Sequence, residues 1–248
     1  MIHYKTKQQI ADMQYGGSIL HDVLQDAAAM VEPGITTKHI DSFIDAYITS
    51  KGGEAGFKRV EGYLWASCIC VNQQIVHTPP TNRVIKDGDV VTIDAGVFYK
   101  GLHTDSAITV QAGNQTPEVT KFLETGKVAL RKALAVATKG QRIGHISKAL
   151  QSTIEDAGYS IVRELTGHGV GKELHEDPYV PCFVNRPAEK TLLLEPGLVI
   201  AVEVMYAMGG GEMAYEADEW SIKTTDNSLA ACFEHSVAIT ENGSLILT

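Results

Sequence analysis

Residues 87–110 read DGDVVTIDAGVFYKGLHTDSAITV, two alternating apolar runs that meet at Lys100-Gly101. Alternation on both sides of a short turn containing glycine predicts a β-hairpin, with strands over 89–97 and 102–111. Antiparallel strands of this kind commonly cover a core with one face only, because successive side chains point to opposite sides. The hairpin therefore favours an antiparallel sheet with one polar face.

Two carboxylates stand inside these apolar strands. A two-residue turn at Lys100-Gly101 places Gly96 opposite Asp105 and makes Asp94 the diagonal neighbour of Asp105 on the same face. A carboxylate among apolar neighbours is costly unless it is paired, hydrogen-bonded or bound to metal. On the hairpin alone, a metal site and a surface carboxylate pair both stay open.

A second stretch repeats the pattern. Residues 196–203 read PGLVIAVE against DGDVVTID at 87–94, and each has a carboxylate six residues after a turn glycine. Later, EHSVAIT at 234–240 resembles DSAITV at 105–110. The repeat therefore matches Asp94 with Glu203 and Asp105 with Glu234, and indicates two related half-chains.

The rest of the chain supports this duplication. Helical spacing of apolar residues predicts two helices before the hairpin and two after it. The predicted helices cover 5–31, a segment beginning at Thr36 or Thr37, about 117–138 and about 143–157. The remaining strands are predicted within 64–76 and near 198–206, 212–222 and 233–247. This order predicts a single α+β domain over 1–248, with two pseudo-symmetric halves of two helices plus strands around a curved, mainly antiparallel sheet.

Composition narrows the function classes. The net charge of −9 argues against a nucleic-acid partner or an anionic membrane surface, which need clustered Lys and Arg. The four cysteines form no CxxC pair, so neither a disulfide scaffold nor a thiolate zinc site is expected. With no apolar run of 18 residues and no signal-like N-terminus, we expect a cytoplasmic protein without a membrane partner.

Four acids in apolar strands favour a metal site, since few basic residues lie near them in the sequence. His168, within ELTGHGVGKELHEDP, is a candidate fifth ligand, and His175 is a candidate substrate contact. A lone histidine is more often structural, and the flanking glycines shift the balance toward an accessible ring. Oxygen-rich ligands suit two divalent ions, which would be Mn²⁺, Fe²⁺, Co²⁺ or a catalytic Zn²⁺.

The ordered set Asp94, Asp105, His168, Glu203 and Glu234 resembles that of type I methionine aminopeptidase, as do IDAGVFYKGLHTD, TGHGVGKELHEDP, VIAVEVM and FEHSVAIT. The resemblance covers nearly the whole chain. It implies the pita-bread fold, which is itself two related halves. It also implies removal of the N-terminal methionine from nascent proteins and peptides by metal-activated water attack on the first peptide bond.

The same resemblance implies a role for each residue. Asp94 would bind one metal ion, His168 and Glu203 the other, and Asp105 and Glu234 both. Glu203 would also move protons. His175 and His77 would contact the scissile peptide group. The methionine pocket would be lined by Tyr63, Cys68 and Trp220.

Departures from the family pattern remove none of the ligands. Phe57, Val60 and Thr78 stand where the family commonly has a small residue, a tyrosine and a glycine. The implied partners are N-termini of nascent polypeptides, with the ribosome as one place of encounter, and the implied state is a monomer. Two alternatives stay open: an Xaa-Pro or other pita-bread aminopeptidase, and a non-catalytic binding protein with this fold.

Overall fold

Two pairs of helices alternate with two groups of strands in this computed structural model, which describes residues 2–248. The helices are α1 (Lys7–Ala29), α2 (Thr37–Ser50), α3 (Pro117–Val136) and α4 (Ile143–Asp156). The strands are β1 (Glu54–Ala55), β2 (Ser67–Val71), β3 (Gln74–Val76), β4 (Val90–Tyr99), β5 (Leu102–Gln111), β6 (Ser160–Ile161), β7 (Thr166–Gly169), β8 (Glu176–Pro181), β9 (Val199–Ala207), β10 (Met213–Tyr215), β11 (Ile222–Thr224), β12 (Ala230–Thr240) and β13 (Gly243–Ile246). The predicted element order, two helices and then strands in each half, is confirmed.

The main sheet joins the two halves. Its strands run in the order β1-β4-β5-β12-β9-β7-β8, and the pairings along it are antiparallel. Helix α1 packs on β4 and β5, and α3 packs in the same way on β9 and β12. The two halves therefore correspond, and they meet at the seam between β5 and β12.

The central hairpin has the predicted register. Lys100 and Gly101 both have positive φ, 48° and 83°, as a two-residue type I′ turn requires. Gly96 consequently pairs with Asp105, and Asp94 pairs with Ala107.

The helices and the acids lie on opposite faces of the sheet, because side chains alternate along each strand. Ile93, Ala95 and Val97 of β4 are buried in the core formed with α1 and α2. Val202 and Val204 of β9 belong to the core formed with α3 and α4. Because alternate residues point to opposite faces, the acids of these strands lie on the face that the helices leave open.

Side-chain hydroxyls bridge the seam. The Ser236 hydroxyl accepts a hydrogen bond from the Asp105 amide and donates one to the Asp105 carbonyl, both at 2.9 Å. Nearby, the Ser106 hydroxyl donates to the Glu234 carbonyl at 2.7 Å. These bonds fix the two halves to each other at the residues that carry Asp105 and Glu234.

Three predicted elements differ from the structure. The strand predicted over 212–222 is wrong: β10 and β11 are separated by a turn, in which the Asp218 carboxylate accepts bonds from the Trp220 and Ser221 amides. The strand predicted over 233–247 is two strands joined by a tight turn. The first helix was predicted to begin at residue 5 and begins at Lys7. The Thr6 hydroxyl caps it there by accepting a hydrogen bond from the Gln9 amide.

Candidate metal centre

Three of the predicted acids lie in one row across four strands. Asp94 of β4 pairs with Ala107 of β5, Ala107 pairs with Glu234 of β12, and Glu234 pairs with Glu203 of β9. Paired residues project to the same face, so the three carboxylates share one surface. The methyl group of Ala107 leaves open the space between Asp94 and Glu234.

The other two predicted ligands lie one row away on that face. Asp105 stands opposite Gly96, and His168 of β7 stands opposite Ala201. Gly96 and Ala201 are small, so neither fills the space beside the first row. The five predicted residues are thus brought together from five strands.

Two of the three groups of candidate ligand atoms overlap at Glu234, and the third joins Asp105, His168 and His175. Asp94, Asp105 and Glu234 each offer an oxygen within 4.8 Å of the others, and His168, Glu203 and Glu234 form a second group within the same limit. The His168 Nε2 atom lies 3.7 Å from a Glu203 oxygen and 3.8 Å from an Asp105 oxygen. The shared Glu234 is compatible with two adjacent ions.

Without a bound cation, burial disfavours the ionised forms of the four acids. It raises the pKa of Asp94 to about 7. Burial, and then the charges of neighbouring acids, raise the pKa values of Asp105, Glu203 and Glu234 well above their ordinary range. One oxygen each of Asp94, Asp105 and Glu234 is buried without a hydrogen-bond partner. Buried carboxylate oxygens in this state suit a cation.

His168 is held as a neutral imidazole. Its Nδ1 atom lies 2.9 Å from the Gly169 carbonyl oxygen, which can only accept, so Nδ1 carries the proton and Nε2 presents its lone pair. Burial, and next the charge of His175, lower the pKa of His168 to about 3. The ring therefore supplies no positive charge to balance the acids. A fixed tautomer of this kind is usual for metal-binding histidines.

A cavity of about 420 Å³ opens onto these residues. Its apolar wall includes the three predicted pocket residues Tyr63, Cys68 and Trp220. The Tyr63 ring packs edge-on against Trp220 at 5.1 Å, and its hydroxyl donates to the Ser67 carbonyl at 2.9 Å and lies 3.1 Å from the Cys68 sulfur. Burial raises the pKa of the Cys68 thiol, so Cys68 serves as an apolar wall and not as a nucleophile.

His77 and His175 also line the cavity. The His175 ring contacts the His168 ring at 4.4 Å between centroids. His77 has a φ of 63°, in the left-handed region that non-glycine residues seldom adopt. Such a conformation is costly and is characteristic of functional sites.

Several residues that line the cavity were not predicted from the sequence. Leu174 packs with Phe57, Tyr63 and Cys68 in the apolar wall. Its position directly before His175 was the available signal. Five further lining residues carry no such signal in the sequence: Glu164, Leu165, Thr166, Tyr179 and Met205.

Residues 11–241 match the model of metallopeptidase family M24. The chain belongs to this family. It is 39% identical to methionine aminopeptidase 1 of Bacillus subtilis, with 100% of this chain and 99% of that protein aligned. It is also 39% identical to methionine aminopeptidase of Aquifex aeolicus, over 100% and 98% of the two chains.

Solved structures agree with this M24 membership. The methionine aminopeptidase of Thermotoga maritima superposes with a TM-score of 0.97 at 33% identity, covering 100% of this chain and 99% of that one. A prolidase from Pyrococcus furiosus has a TM-score of 0.79 at 22% identity, covering 99% of this chain and 65% of that one. The second likeness concerns the fold alone. The predicted α+β, pita-bread architecture is confirmed.

M24 membership carries a requirement for divalent metal ions, and the ligand groups described above fit one. The α-helices within residues 2–248 include none with the length and apolar character needed to cross a bilayer.

Proposed function

We propose that this M24 peptidase removes the N-terminal methionine from nascent proteins and peptides, with two divalent ions held by the five predicted ligands. The observation that supports this is the position of two ligand groups sharing Glu234 at the floor of a cavity with an apolar wall. The chain from residue 1 to residue 248 would work as one catalytic domain.

In this proposal the ligands divide between the two ions. Asp94 would hold one ion, His168 and Glu203 would hold the other, and Asp105 and Glu234 would offer oxygens to both. Ions bound there supply activation of water and polarisation of the scissile carbonyl. Their identity, among Mn²⁺, Fe²⁺, Co²⁺ and Zn²⁺, is left to elemental analysis.

The remaining chemistry falls to side chains around the cavity. Glu203 moves the proton between water and the leaving amine, a role that suits a carboxyl whose pKa burial has raised. His175 and His77 hold the peptide group by hydrogen bonds, and His175 stabilises the negative charge that develops on the carbonyl oxygen.

The apolar wall would bind the methionine side chain. Tyr63 and Trp220 offer aromatic faces that suit a thioether, and Cys68 and Leu174 add apolar surface. Phe57 and Val60 also line this wall. The pocket would therefore bind an apolar side chain.

The partners proposed are the N-termini of nascent polypeptides in the cytoplasm, including those emerging from the ribosome, and the proposed state is a monomer. No nucleic acid or membrane enters this proposal.

A peptide panel tests this proposal. The purified protein is loaded with Mn²⁺ or Co²⁺ and given Met-Ala-Ser, Met-Gly-Ser and Ala-Pro-Ser peptides, with metal content measured on the same samples. We expect release of free methionine in the presence of metal and loss of release after chelation. A preference for Ala-Pro-Ser would point to the Xaa-Pro alternative, and absence of any hydrolysis would favour the non-catalytic binding protein.

A further inference from the structure

The hairpin that carries both site histidines is closed by a buried ion pair. Strands β7 and β8 form this hairpin, with His168 near the end of β7 and His175 just before β8. The strand pair nearest the turn joins Gly169 to Glu176. The Glu176 carboxylate lies 2.6 Å from the Lys5 ammonium, and both side chains are 4% exposed.

Lys5 reaches the hairpin from the segment before α1. Its own amide donates to the Gly197 carbonyl at 2.7 Å, which fixes the segment to the loop before β9. Gly171 packs so closely on the Lys5 side chain that a Cβ there would lie 2.2 Å from the Lys5 Cε atom. The lysine is therefore enclosed by the hairpin and does not lie on an open surface.

The Glu176 carboxylate also bonds to the backbone of the turn between β7 and β8. Its second carboxylate oxygen accepts a bond from the Glu173 amide at 3.1 Å. Burial acts to raise the pKa of Glu176, and the bonds from Lys5 and the Glu173 amide outweigh it, so the pKa is lowered. The carboxylate is thus ionised at neutral pH and bonded on both oxygens.

We propose that Lys5 is a positioning residue for catalysis, which fixes the β7–β8 hairpin through Glu176 and so sets the place of His175 over the scissile peptide group. This inference rests on the proposed function, in which His175 contacts that group. The physical basis is that an ionised carboxylate buried without its partner moves toward water. Any such movement of Glu176 shifts the residue beside it, and small displacements of a catalytic group are costly in rate.

The test compares Lys5→Met with a matched control, Lys139→Met. Lys139 also pairs with a glutamate at 2.6 Å, Glu241, but these side chains are 52% and 67% exposed. Activity on Met-Ala-Ser is measured well below the unfolding temperature of each variant, with metal content checked. We expect Lys5→Met to lower kcat by about tenfold or more, with KM changed less than threefold, and Lys139→Met to stay within twofold of the parent. A second variant, Glu176→Gln, keeps the shape of the side chain. Its kcat should lie between those of Lys5→Met and Lys139→Met.

Hydrogen exchange supplies a readout that does not need activity. Amides of residues 170–176 should exchange faster in Lys5→Met, while those of α3 and α4 keep their protection. A folded Lys5→Met protein with unchanged exchange in this turn, or with kcat within twofold of the parent at equal metal content, would overturn the proposal. If the parent itself releases no methionine, the proposed function fails, and the exchange result still decides whether Lys5 fixes the hairpin.

Discussion

Three of the site residues are positioned by contacts that can be named. His168 is oriented by the Gly169 carbonyl, Asp105 is set by the Ser236 hydroxyl on its backbone, and Tyr63 is anchored to the Ser67 carbonyl. The convergence of the four acids on one face could be predicted because a charged residue in an apolar strand is conspicuous in a sequence, and their role as metal ligands stays a prediction. The ion pair of Lys5 with Glu176 could not, since its partners are 171 residues apart and no local pattern joins them.

Asp105→Ala should abolish turnover while the fold persists. The variant loses a ligand that faces both proposed ions and also relieves a buried carboxylate, so activity should fall by at least about 100-fold without unfolding. Methionine release, bound metal and circular dichroism are measured together. Asp22→Ala, at an exposed position of α1, is the control. Near-parental activity in Asp105→Ala would refute the ligand assignment.

Phe57→Leu should relax selection in the pocket. The Phe57 ring lies against the Gly96 backbone and packs edge-on against Tyr63 at 6.4 Å. A smaller side chain widens the wall, so the ratio of kcat/KM for Met-Ala-Ser to that for Leu-Ala-Ser should fall by roughly 3- to 30-fold, as a change of one or two methylene groups does. An unchanged ratio would show that Phe57 does not shape the pocket.

At the scale of elements, the register of the β4–β5 hairpin places Asp94 and Asp105 on the same face of the sheet. The type I′ turn and alternating strands were readable in the sequence, and the duplication then placed Glu203 and Glu234. Residues 216–221 were misread because the Asp218 carboxylate replaces strand pairing with bonds to neighbouring amides. Such competition between a side chain and the backbone leaves little trace in apolar periodicity.

Helix α2 supports the pocket through Asp41. One oxygen of this carboxylate accepts bonds from the Ala66 amide, the Ser67 amide and the Ser67 hydroxyl, at 2.9, 3.0 and 2.9 Å. These residues lead directly into Cys68 of the apolar wall. Asp41 thus ties a helix to the start of β2.

Asp41→Ala should therefore destabilise the protein by about 2–4 kcal/mol, because buried donors lose their acceptor. It should also raise KM for methionyl peptides. Urea unfolding and steady-state kinetics measure the two effects. Asp45→Ala on the same helix breaks only an exposed pair with Lys58 and should cost less than about 1 kcal/mol. Equal losses in the two variants would contradict the role given to Asp41.

At the scale of the whole molecule, the site exists only where the two halves meet. Asp94 and Asp105 come from the first half, and His168, Glu203 and Glu234 from the second. The seam collects four carboxylates in a buried place, which makes the stability of the protein depend on what neutralises them.

The metal-stripped protein should lose stability as pH rises. The folded-state pKa of Asp94 is raised to about 7, above its ordinary value near 4, and those of the other three acids are raised in the same direction. The folded state then binds more protons than the unfolded state. This contribution to stability is complete below pH 4 and is lost as the pH passes through about 7.

Calorimetry of stripped protein between pH 5 and pH 8 should show this decline, and added Mn²⁺ should raise Tm more at pH 8 than at pH 6, because the ion competes with protons. The same scans on Asp105→Ala should show a shallower decline. A Tm of the stripped parent that rises over this pH interval would contradict the electrostatic account.

The seam between β5 and β12 also has a consequence for synthesis of the chain. A growing polypeptide that has completed β5 holds two of the five proposed ligands, and neither of the two groups that share Glu234 can close until β12 has been made and docked. Long-range strand pairing of this kind forms slowly, after the local hairpins. An unfinished chain therefore lacks the two groups that share Glu234, so we expect metal-dependent activity only once the two halves have assembled.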